Sequence, residues 1–422
     1  MSFDADNLAD WLTHLERLHP SAIDMGLTRV AQVRDAMGLH PTFPVIIVGG
    51  TNGKGSTCAM LSAAYKAAGF KVGTYISPHL LHYNERVAID LQPASDAAIV
   101  ESFREIERAR GDVSLTYFEF GTLAAMQQFI AAGVDVAVLE VGLGGRLDAV
   151  NVFEPDVSAV VTVDLDHQSY LGNDRESIGF EKAGIFRTGK PALCADANPP
   201  TSLIRHATDI GADLQLIGRE FGFVNEGTQW RWQGRSRQKP GLPFPALRGA
   251  YQLANASLVI AILDVLHDRL PVSIGDLKRG LLEVVLPGRY QVLPGRPSIV
   301  LDVAHNPHAA AVLAQNLLGQ GFFQTTHAVF GAMADKDIAG VLAHLKDAID
   351  VWHVAAPATP RAAEPTVLAE MIVASGAKGR VLIYPSVADA FTAARSQAGE
   401  SDRIAAFGSF YIVAEVLALN PR

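Results

Sequence analysis

The 422-residue chain has little cysteine, no excess of basic charge and no long apolar run. Its two cysteines, Cys58 and Cys194, lie in apolar stretches without CxxC spacing, which is typical of core residues in a reducing compartment and gives no zinc site. The formal net charge of −9 disfavours nonspecific binding to nucleic acid. No apolar run approaches the ~20 residues that span a bilayer. The acidic start does not resemble an export signal, so we expect a cytoplasmic protein without a membrane partner.

The chain does contain enough apolar sequence for more than one core. Hydrophobic residues make up 49% of it, which is typical of a globular protein. At roughly 150 residues per domain, the length predicts two or three domains.

Short β-branched runs alternate with helical segments along most of the chain. Continuous apolar strands that each lead toward a helix are typical of parallel sheets covered by helices on both faces. The sequence therefore predicts an α/β protein. Its strand candidates include PVIIVGG, KVGTYISPH, VDVAVLEVGLGG and VSAVVTVDLDH, and later SIVLDVAHNP, THAVFGAM, VWHVAA, RVLIYP and RIAAFGSF.

Glycine and proline mark two breaks in this alternation. Residues 191–245 contain a Gly- and Pro-bounded stretch that predicts a hairpin-rich insertion in the first domain. The segment LLEVVLPGRYQVLPGRP interrupts a helix before a new strand and predicts a domain boundary. The predicted domains are 1–287 and a smaller one at 288–422.

The strongest local signal is VIIVGGTNGKGST at residues 45–57. A buried strand leads there into a glycine-rich turn and a helix, so backbone N–H groups, a lysine and the helix dipole can hold phosphates. The segment departs from the general Walker pattern, because Val48 replaces the first glycine and Gly55 follows the lysine. A glycine turn with a solvated lysine is the alternative. The candidate nucleotide-binding residues of this P-loop-type domain are Gly53, Lys54, Gly55 and Ser56.

Three polar side chains lie at the ends of predicted strands: Ser77, Glu140 and His167. The carboxyl ends of parallel strands share one edge of a sheet, so these side chains can converge on the glycine-rich turn. A hydroxyl, a carboxylate and an imidazole can hold Mg²⁺ beside phosphates. Taken singly, Ser77 can be a turn residue, Glu140 a surface charge and His167 a helix cap.

Lys182, in FEKAGIF, is an unusual cation to find near a second lysine and a metal ion. Like charge disfavours it there unless it faces away or is chemically modified. The residues alone favour a solvated lysine on a helix.

The second predicted domain places polar residues at its first strand end. Arg289 lies in LPGRYQ, and Asp302, His305 and Asn306 lie in LDVAHNPHA. Arginine can stabilise charge on a transferred phosphoryl group, and a strand-end aspartate can bind ribose or orient that arginine. This arrangement implies an interdomain cleft. An Asx-type turn that caps the next helix is the alternative for 302–306.

Together the motifs resemble those of the folylpolyglutamate synthase group of the Mur ligase-like superfamily. The resemblance runs in order over nearly the whole chain, through GTNGKGS, SPHL, LEVGLGGRLDA, DLDHQSYLG, EKAGI, NAS, LPGR, DVAHNP and FGSFY. It implies a Rossmann-like second domain and a monomeric, ATP- and Mg²⁺-dependent ligase that adds L-glutamate to dihydropteroate and to tetrahydrofolate. The substrate carboxylate takes the γ-phosphate of ATP, and the glutamate amine then displaces phosphate.

The resemblance also implies roles for particular residues. Gly53–Ser56 would hold the triphosphate, and Lys54 would neutralise it. Magnesium would be held by Ser77, Glu140 and His167. ATP would be contacted from the far side of the cleft by Asn255, Arg289 and Asp302. The glutamate site would include His305, Ser409 and Tyr411. A lysine at the position of Lys182 is commonly carbamylated in this superfamily, which would convert it into an anion that helps to bind metal.

Two further segments match the parts of the family that hold pteroate. They are IDMGLTRV, with Asp24 and Gly26, and TYFEFGT, with Phe118 and Phe120. An aromatic ring can stack on a flat ring system there, and core packing is the alternative for both phenylalanines. Three other functions stay open: a polyglutamylase without dihydropteroate activity, a cell-wall amino-acid ligase and an ATP-binding regulatory switch.

Overall fold

The structure, a computed structural model, describes residues 3–21 and 23–420. These residues form two compact units. The first contains the chain up to Ala246 together with Leu253–Val284, and the second contains Leu247–Gln252 and the chain from Val285 onward. The units therefore divide after Val284, whereas the sequence predicted a boundary after residue 287, and a short segment before the boundary belongs to the second unit.

The first unit is built on an eight-stranded sheet with the order β4-β3-β2-β5-β1-β6-β7-β8. The strands are β1 (Val45–Gly49), β2 (Val72–Tyr75), β3 (Val87–Ile89), β4 (Gln92–Pro93), β5 (Val136–Glu140), β6 (Val157–Val160), β7 (Pro191–Cys194) and β8 (Asp213–Leu216). The six strands from β2 to β8 in this order pair in parallel, and β3 and β4 are antiparallel at one edge.

Helices connect these strands and follow them in sequence. They are α1 (Leu8–Leu18), α2 (Thr28–Ala36), α3 (Lys54–Ala67), α4 (Asp96–Arg110), α5 (Tyr117–Ala132), α6 (Gln168–Leu171), α7 (Arg175–Ala183), α8 (Thr201–Asp209), α9 (Gln252–Val265) and α10 (Ile274–Glu283). Short 3₁₀ helices occupy Tyr83–Arg86 and Ala149–Val152. Several helices begin where a short polar side chain accepts a backbone N–H, including those after Asn7, Ser95, Thr116, Asp174 and Ser273.

The central strand β1 is buried along its whole length, which explains its continuous apolar sequence. Successive side chains of a strand point to opposite faces of the sheet. Val45 and Ile47 join one hydrophobic cluster with residues of α1, α4 and α5, whereas α3 contacts β1, β2 and β5. The sheet is thereby packed between helices.

Only part of the predicted insertion at 191–245 is a separate structure. The prediction was wrong for its first half, because β7, α8 and β8 extend the main sheet. The remainder forms a three-stranded antiparallel sheet of β9 (Gly222–Asn225), β10 (Trp230–Gln233) and β11 (Gln238–Leu242). Buried Trp232 fixes this sheet to α9 by donating from Nε1 to the carbonyl of Ser257 at 3.1 Å.

The second unit contains a six-stranded sheet with the order β12-β13-β17-β14-β15-β16. The strands of this sheet are β12 (Gln291–Leu293), β13 (Ser298–Leu301), β14 (Thr326–Phe330), β15 (Val351–Val354), β16 (Arg380–Ile383) and β17 (Arg403–Phe407). Within it, β12 pairs antiparallel with β13, and the other five strands pair in parallel. Its helices are α11 (Pro307–Gly319), α12 (Ile338–Leu345), α13 (Pro365–Ala374), α14 (Val387–Gln397) and α15 (Phe410–Ala418).

The fold class predicted from the sequence is confirmed: a mostly parallel sheet domain with helices is followed by a second α/β domain. Cys58 and Cys194 are both buried and unpaired. Across 3–21 and 23–420, every helix is too short or too polar to cross a bilayer.

Candidate active site

The glycine-rich turn joins the end of β1 to the start of α3. Gly50 has φ 137° and Gly53 has φ 95°, a region that side chains other than glycine rarely adopt. Lys54 folds back over the turn, where its Nζ donates to the carbonyls of Gly50 and Thr51 at 3.0 and 3.2 Å. The first N–H groups of a helix have no partner within it, so this turn can hold an anion at a helix N-terminus.

Asn255 lies directly against this turn. A Cβ atom added to Gly53 would be 2.8 Å from Asn255 Oδ1 and 2.8 Å from Val161 Cγ1, so no other residue fits at this position. Asn255 is buried on α9, and it belongs to the first unit together with Gly53. The expectation that Asn255 approaches ATP from the far side of a cleft is therefore corrected. Gly55 and Ser56 are buried in the first turn of α3.

The sheet order brings the predicted strand-end residues to one edge. Strands β2, β5, β1 and β6 are consecutive neighbours. Ser77 follows β2, Glu140 is the last residue of β5, the glycine-rich turn follows β1, and the loop with His167 follows β6. In the parallel register, Glu140 is paired with Val48. The carboxylate of Glu140 and the amine of Lys54 both act on the pKa of buried Cys58, which lies in α3.

Glu140 is a buried carboxylate rather than a surface charge, with 4% of its area exposed. Its Oε2 accepts a hydrogen bond from the backbone N–H of Ser77 at 3.1 Å. Ser77 precedes Pro78 through a cis peptide bond. The serine and the glutamate that the sequence assigned to metal binding are therefore in contact.

His167 begins α6 in the left-handed region, with φ 50°. His167 thus occupies the cap position that the alternative predicted, but its side chain makes no hydrogen bond that caps this helix. The imidazole is 38% exposed, and its Nε2 lies 4.0 Å from Oδ1 of Asp166.

Lys182 is buried, with 4% of its area exposed, so its interpretation as a solvated helix lysine was wrong. Burial and the positive charge of Lys54 together lower the pKa of its amine to about 7, against the opposing effect of Asp166 and Asp148. The GLGGR loop packs closely against the end of α7, where a Cβ atom at Gly145 would be only 3.0 Å from the carbonyl oxygen of Lys182. A neutral amine beside carboxylates is thereby available near Lys54.

Asp148 is a site residue that the sequence reasoning missed. Its buried carboxylate accepts from the backbone N–H groups of Leu143 and Val150 at 2.8 and 3.0 Å and so closes the GLGGR loop. Burial raises the pKa of Asp148 to about 6, and these backbone hydrogen bonds and Lys54 oppose the shift. The only sequence signal was an acidic residue closely following a glycine-rich loop.

The residues at this edge fit a magnesium ion better than a tightly liganded transition metal. Within the part of the chain that the structure describes, no three His, Cys, Asp or Glu side chains are grouped closely enough to hold a metal. Mg²⁺ keeps several waters and needs only one or two carboxylates beside substrate phosphates. Buried Glu140 next to Ser77 supplies such a carboxylate and a hydroxyl.

The segment with Asp24 and Gly26 is tied to the start of α5. Asp24 Oδ2 accepts from Arg29 Nη1 at 2.8 Å and lies 3.1 Å from His19 Nε2. Arg29 also donates to Glu119 at 3.1 Å. Asp24 is exposed, and the space around Gly26 is open, with no atom within 4 Å of an added Cβ.

Phe118 and Phe120 have different environments. Phe120 is fully buried among Trp11 and Phe103, with ring centroids at 6.4 and 5.3 Å, so its assignment to substrate binding was wrong. Phe118 is only partly buried and packs 5.7 Å from Tyr75 at the end of β2. An added Cβ at Gly142 would be 2.7 Å from the Phe118 ring, which places this ring at the GLGGR loop.

In the second unit, Arg289, Asp302 and His305 gather at the ends of β13 and β17. Asp302 Oδ2 and Oδ1 accept the backbone N–H groups of Tyr290 and Ala304 at 2.9 and 2.8 Å. Burial raises the pKa of Asp302, and Arg289 and His305 partly offset this effect. Asn306 begins α11 by accepting from the N–H of Ala309, as the capping alternative predicted for that residue.

The aromatic ring of Phe410 connects this group to the segment FGSFY. Arg289 Cζ lies 5.0 Å from the centre of the Phe410 ring, and the ring of His305 lies 6.1 Å from it. Ser409 is buried and caps α15 by accepting from the N–H of Ile412 at 3.1 Å, whereas Tyr411 is 49% exposed. The structure therefore gives Ser409 a local structural role and leaves the Tyr411 ring accessible.

Known proteins are similar to this chain over nearly its whole length. The chain is 43% identical over 414 residues to a dihydrofolate synthase/folylpolyglutamate synthase of Escherichia coli K12, with 98% of this chain and 95% of that protein covered. This chain belongs to the dihydrofolate synthase/folylpolyglutamate synthase family. Residues 48–220 match the Mur ligase middle domain, and residues 288–410 match the glutamate ligase domain of Mur ligases.

Solved structures of family members have the same fold. E. coli FolC in complex with DHPP and ADP superposes with a TM-score of 0.93 at 42% identity, with 98% of each chain covered. The bifunctional folylpolyglutamate synthase/dihydrofolate synthase of Yersinia pestis, complexed with AMPPNP and Mn, gives 0.91 at 44% identity, with 99% of each chain covered. The membership inferred from the motifs is confirmed.

Proposed function

We propose that this protein is an ATP-dependent ligase that adds L-glutamate to 7,8-dihydropteroate and to tetrahydrofolate. The observation that carries the proposal is the edge of the first sheet, where the glycine-rich turn, Lys54, Glu140 and Lys182 meet beside the partly buried Phe118. The family relatives named for both activities support the assignment, as does the relative solved with DHPP and ADP.

The first step transfers the γ-phosphate of ATP to the substrate carboxylate, which gives an acyl phosphate and ADP. The turn at Gly53 and the N-terminus of α3 bind the triphosphate, and the amine of Lys54 neutralises part of its charge. Ser77, Glu140 and His167 would hold Mg²⁺, which neutralises phosphate charge when bound. Lys182, as a carbamate, would add a further anionic ligand.

In the second step the glutamate amine attacks the acyl carbon, and phosphate leaves as the amide bond forms. We assign Arg289 and Asp302 to ATP binding and His305 and Tyr411 to the glutamate site. Asp302 is held by two backbone N–H groups and so has a fixed carboxylate beside Arg289, which suits a charged ligand. Ser409 would act by placing the start of α15.

The assignment of dihydropteroate as a substrate rests on the aromatic ring of Phe118 and on the open space at Gly26. Phe118 presents a ring at the GLGGR loop, and the backbone at Gly26 leaves room for a flat ligand. We also assign the protein to the cytoplasm, where thiols such as the buried, unpaired Cys58 and Cys194 stay reduced, and to a monomeric state.

The decisive experiment is ADP release measured with dihydropteroate, with tetrahydrofolate and with each amino acid in turn. A ligase releases ADP only when both an acceptor and L-glutamate are present. Glutamate-dependent turnover with tetrahydrofolate but not with dihydropteroate would identify a folylpolyglutamate synthase without dihydropteroate activity. ATP hydrolysis that depends on neither substrate would identify a regulatory switch.

A further inference from the structure

Arg86 is a charged residue at this edge that the proposed mechanism does not use. It ends the 3₁₀ helix Tyr83–Arg86, and its carbonyl accepts the backbone N–H of Ile76 at 3.0 Å. Ile76 directly precedes Ser77, whose own N–H is bound by Glu140. Arg86 therefore lies beside the strand end that carries the proposed metal site.

Neutral groups hold the guanidinium of Arg86 in place. Its Nε donates to His79 Nδ1 at 2.9 Å, and its Cζ lies 5.4 and 5.3 Å from the ring centres of Tyr83 and Tyr117. The two tyrosine rings are nearly perpendicular, at 84°. Contacts between a cation and aromatic rings orient a guanidinium without cancelling its charge.

Arg86 forms no ion pair with any residue in 3–21 or 23–420. The neighbouring carboxylate of Glu85 is engaged by the backbone N–H groups of Leu80, Leu81 and His82. Of the five N–H donors of a guanidinium, only the one on Nε has a hydrogen-bond partner in this part of the chain. A partly buried cation without a carboxylate partner is suited to bind an anionic ligand.

His79 cannot supply the missing negative charge. Because its Nδ1 accepts from Arg86, the imidazole is neutral and carries its proton on Nε2. Among the described residues, the side chains in direct contact with the guanidinium are thus one neutral imidazole and two phenol rings. The planar fork of Arg86 matches a carboxylate, which it can bind through two parallel hydrogen bonds.

We propose that Arg86 binds the α-carboxylate of the glutamyl group of tetrahydrofolate, a carboxylate that does not react. The proposal rests on the proposed function. The reacting carboxylate must meet the triphosphate at the end of β1, whereas Arg86 lies directly before β3, and β2 and β5 lie between β3 and β1. At strand spacings of ~4.8 Å, that is roughly 14 Å between backbones along the edge, a distance that a long arginine side chain can reduce. Dihydropteroate has only the reacting carboxylate, so the contact with Arg86 is available to tetrahydrofolate and not to dihydropteroate.

Arg86→Gln tests this assignment through the KM values of both acceptors. Losing a charged hydrogen-bonded pair should raise the KM for tetrahydrofolate by ~10–100-fold, whereas kcat stays within a few-fold. The KM for dihydropteroate should rise far less. Arg86→Lys keeps the charge without the fork and should give an intermediate KM for tetrahydrofolate. The matched control is Arg219→Gln, at a 68% exposed arginine, which should leave both KM values unchanged.

A change in the ligand tests the same contact without altering the protein. A tetrahydrofolate analogue with an α-carboxamide should show a raised KM with the unsubstituted enzyme, and Arg86→Gln should raise it no further. Equal KM values for this analogue and for tetrahydrofolate would overturn the proposal, even if Arg86→Gln failed to fold. Equal KM increases for both acceptors in a folded Arg86→Gln variant would also overturn it. Absence of any glutamate-dependent ADP release from the unsubstituted enzyme would instead contradict the proposed function.

Discussion

The positive charge of Lys54 acts on the buried amine of Lys182 and disfavours its protonated form. It adds to the effect of burial in lowering the pKa of Lys182 to about 7. The two lysines come from segments far apart in sequence, the glycine-rich turn after β1 and the end of α7. At neutral pH a large share of Lys182 is therefore the neutral amine, which is the form that reacts with carbon dioxide to give a carbamate.

Replacing Lys54 with alanine should abolish ligation and leave the fold intact. Within 3–21 and 23–420 the amine donates hydrogen bonds only to carbonyls of its own turn, so its loss removes phosphate binding rather than core packing. We expect kcat to fall by ~10²–10³-fold, as for the loss of one group that stabilises transition-state charge. Coupled ADP release measures the effect. Lys66→Ala, at the other end of α3, is the control, and robust product formation by Lys54→Ala would contradict the assignment.

Replacing Lys182 with alanine should remove activity that short carboxylates restore in part. The truncation leaves a buried space beside Asp148 and Asp166, and acetate can enter it and replace the anionic end of a carbamate. Rates are compared with and without added acetate, using chloride at equal ionic strength. Lys190→Ala, at a lysine whose side chain is 45% exposed, serves as the control and should need no rescue. A full rate in Lys182→Ala without acetate would exclude the carbamate.

Alanine substitutions of the two phenylalanines in TYFEFGT should have different effects, one on the stability of the fold and the other on substrate binding. Phe120→Ala should lower the free energy of unfolding by ~3–5 kcal/mol, because its ring is fully buried. Phe118→Ala should instead raise the KM for dihydropteroate with a smaller loss of stability, and Phe118→Tyr should restore binding. Urea unfolding and initial rates measure the two effects. The same KM change in both folded alanine variants would contradict this division.

The second unit should lose stability as the pH falls below about 6.5. His353 is fully buried, with His327 and Tyr384 at 3.1 and 3.2 Å from its ring nitrogens. Burial lowers the pKa of His353, and together with the effects of His327 and Arg380 it brings the pKa to about 4. The unfolded chain thus binds the proton more readily, so stability is complete above the unfolded pKa and is lost as the pH falls through the folded pKa. The slope can reach about 1.4 kcal/mol per pH unit.

Hydrogen exchange of the amides in β15 measures this loss between pH 4 and 7, after correction for intrinsic exchange rates. His353→Phe should flatten the dependence, whereas His40→Gln, at an exposed histidine, should not change it. An unchanged slope in His353→Phe would assign the acid sensitivity to other groups.

Much of the site could be predicted because its parts are local. A glycine-rich turn between a buried strand and a helix is visible in one short segment, and the positions of Ser77 and Glu140 follow from counting strand ends. Their convergence needed only the rule that the carboxyl ends of parallel strands share an edge. The resemblance to the family was visible in the same motifs.

What the sequence could not give is which of two similar residues is buried. Phe118 and Phe120 are separated by one residue, yet only Phe120 points into the core beside Trp11. The burial of Lys182 depends on the approach of the GLGGR loop to α7, and the position of Asn255 depends on how α9 packs against Gly53. Each of these contacts joins segments that are distant in the chain.

The sequence by itself determined the α/β architecture, the phosphate-binding turn and the family, because strand periodicity and motif order are local properties of the chain. The tertiary structure decided which side chains are charged or neutral and which are buried or accessible. Burial and neighbouring charge set those properties, and both arise only when remote segments pack together. Arg86 shows this difference, since its charge is evident in the sequence, but the lack of an ion pair with any residue in 3–21 or 23–420 appears only in the fold.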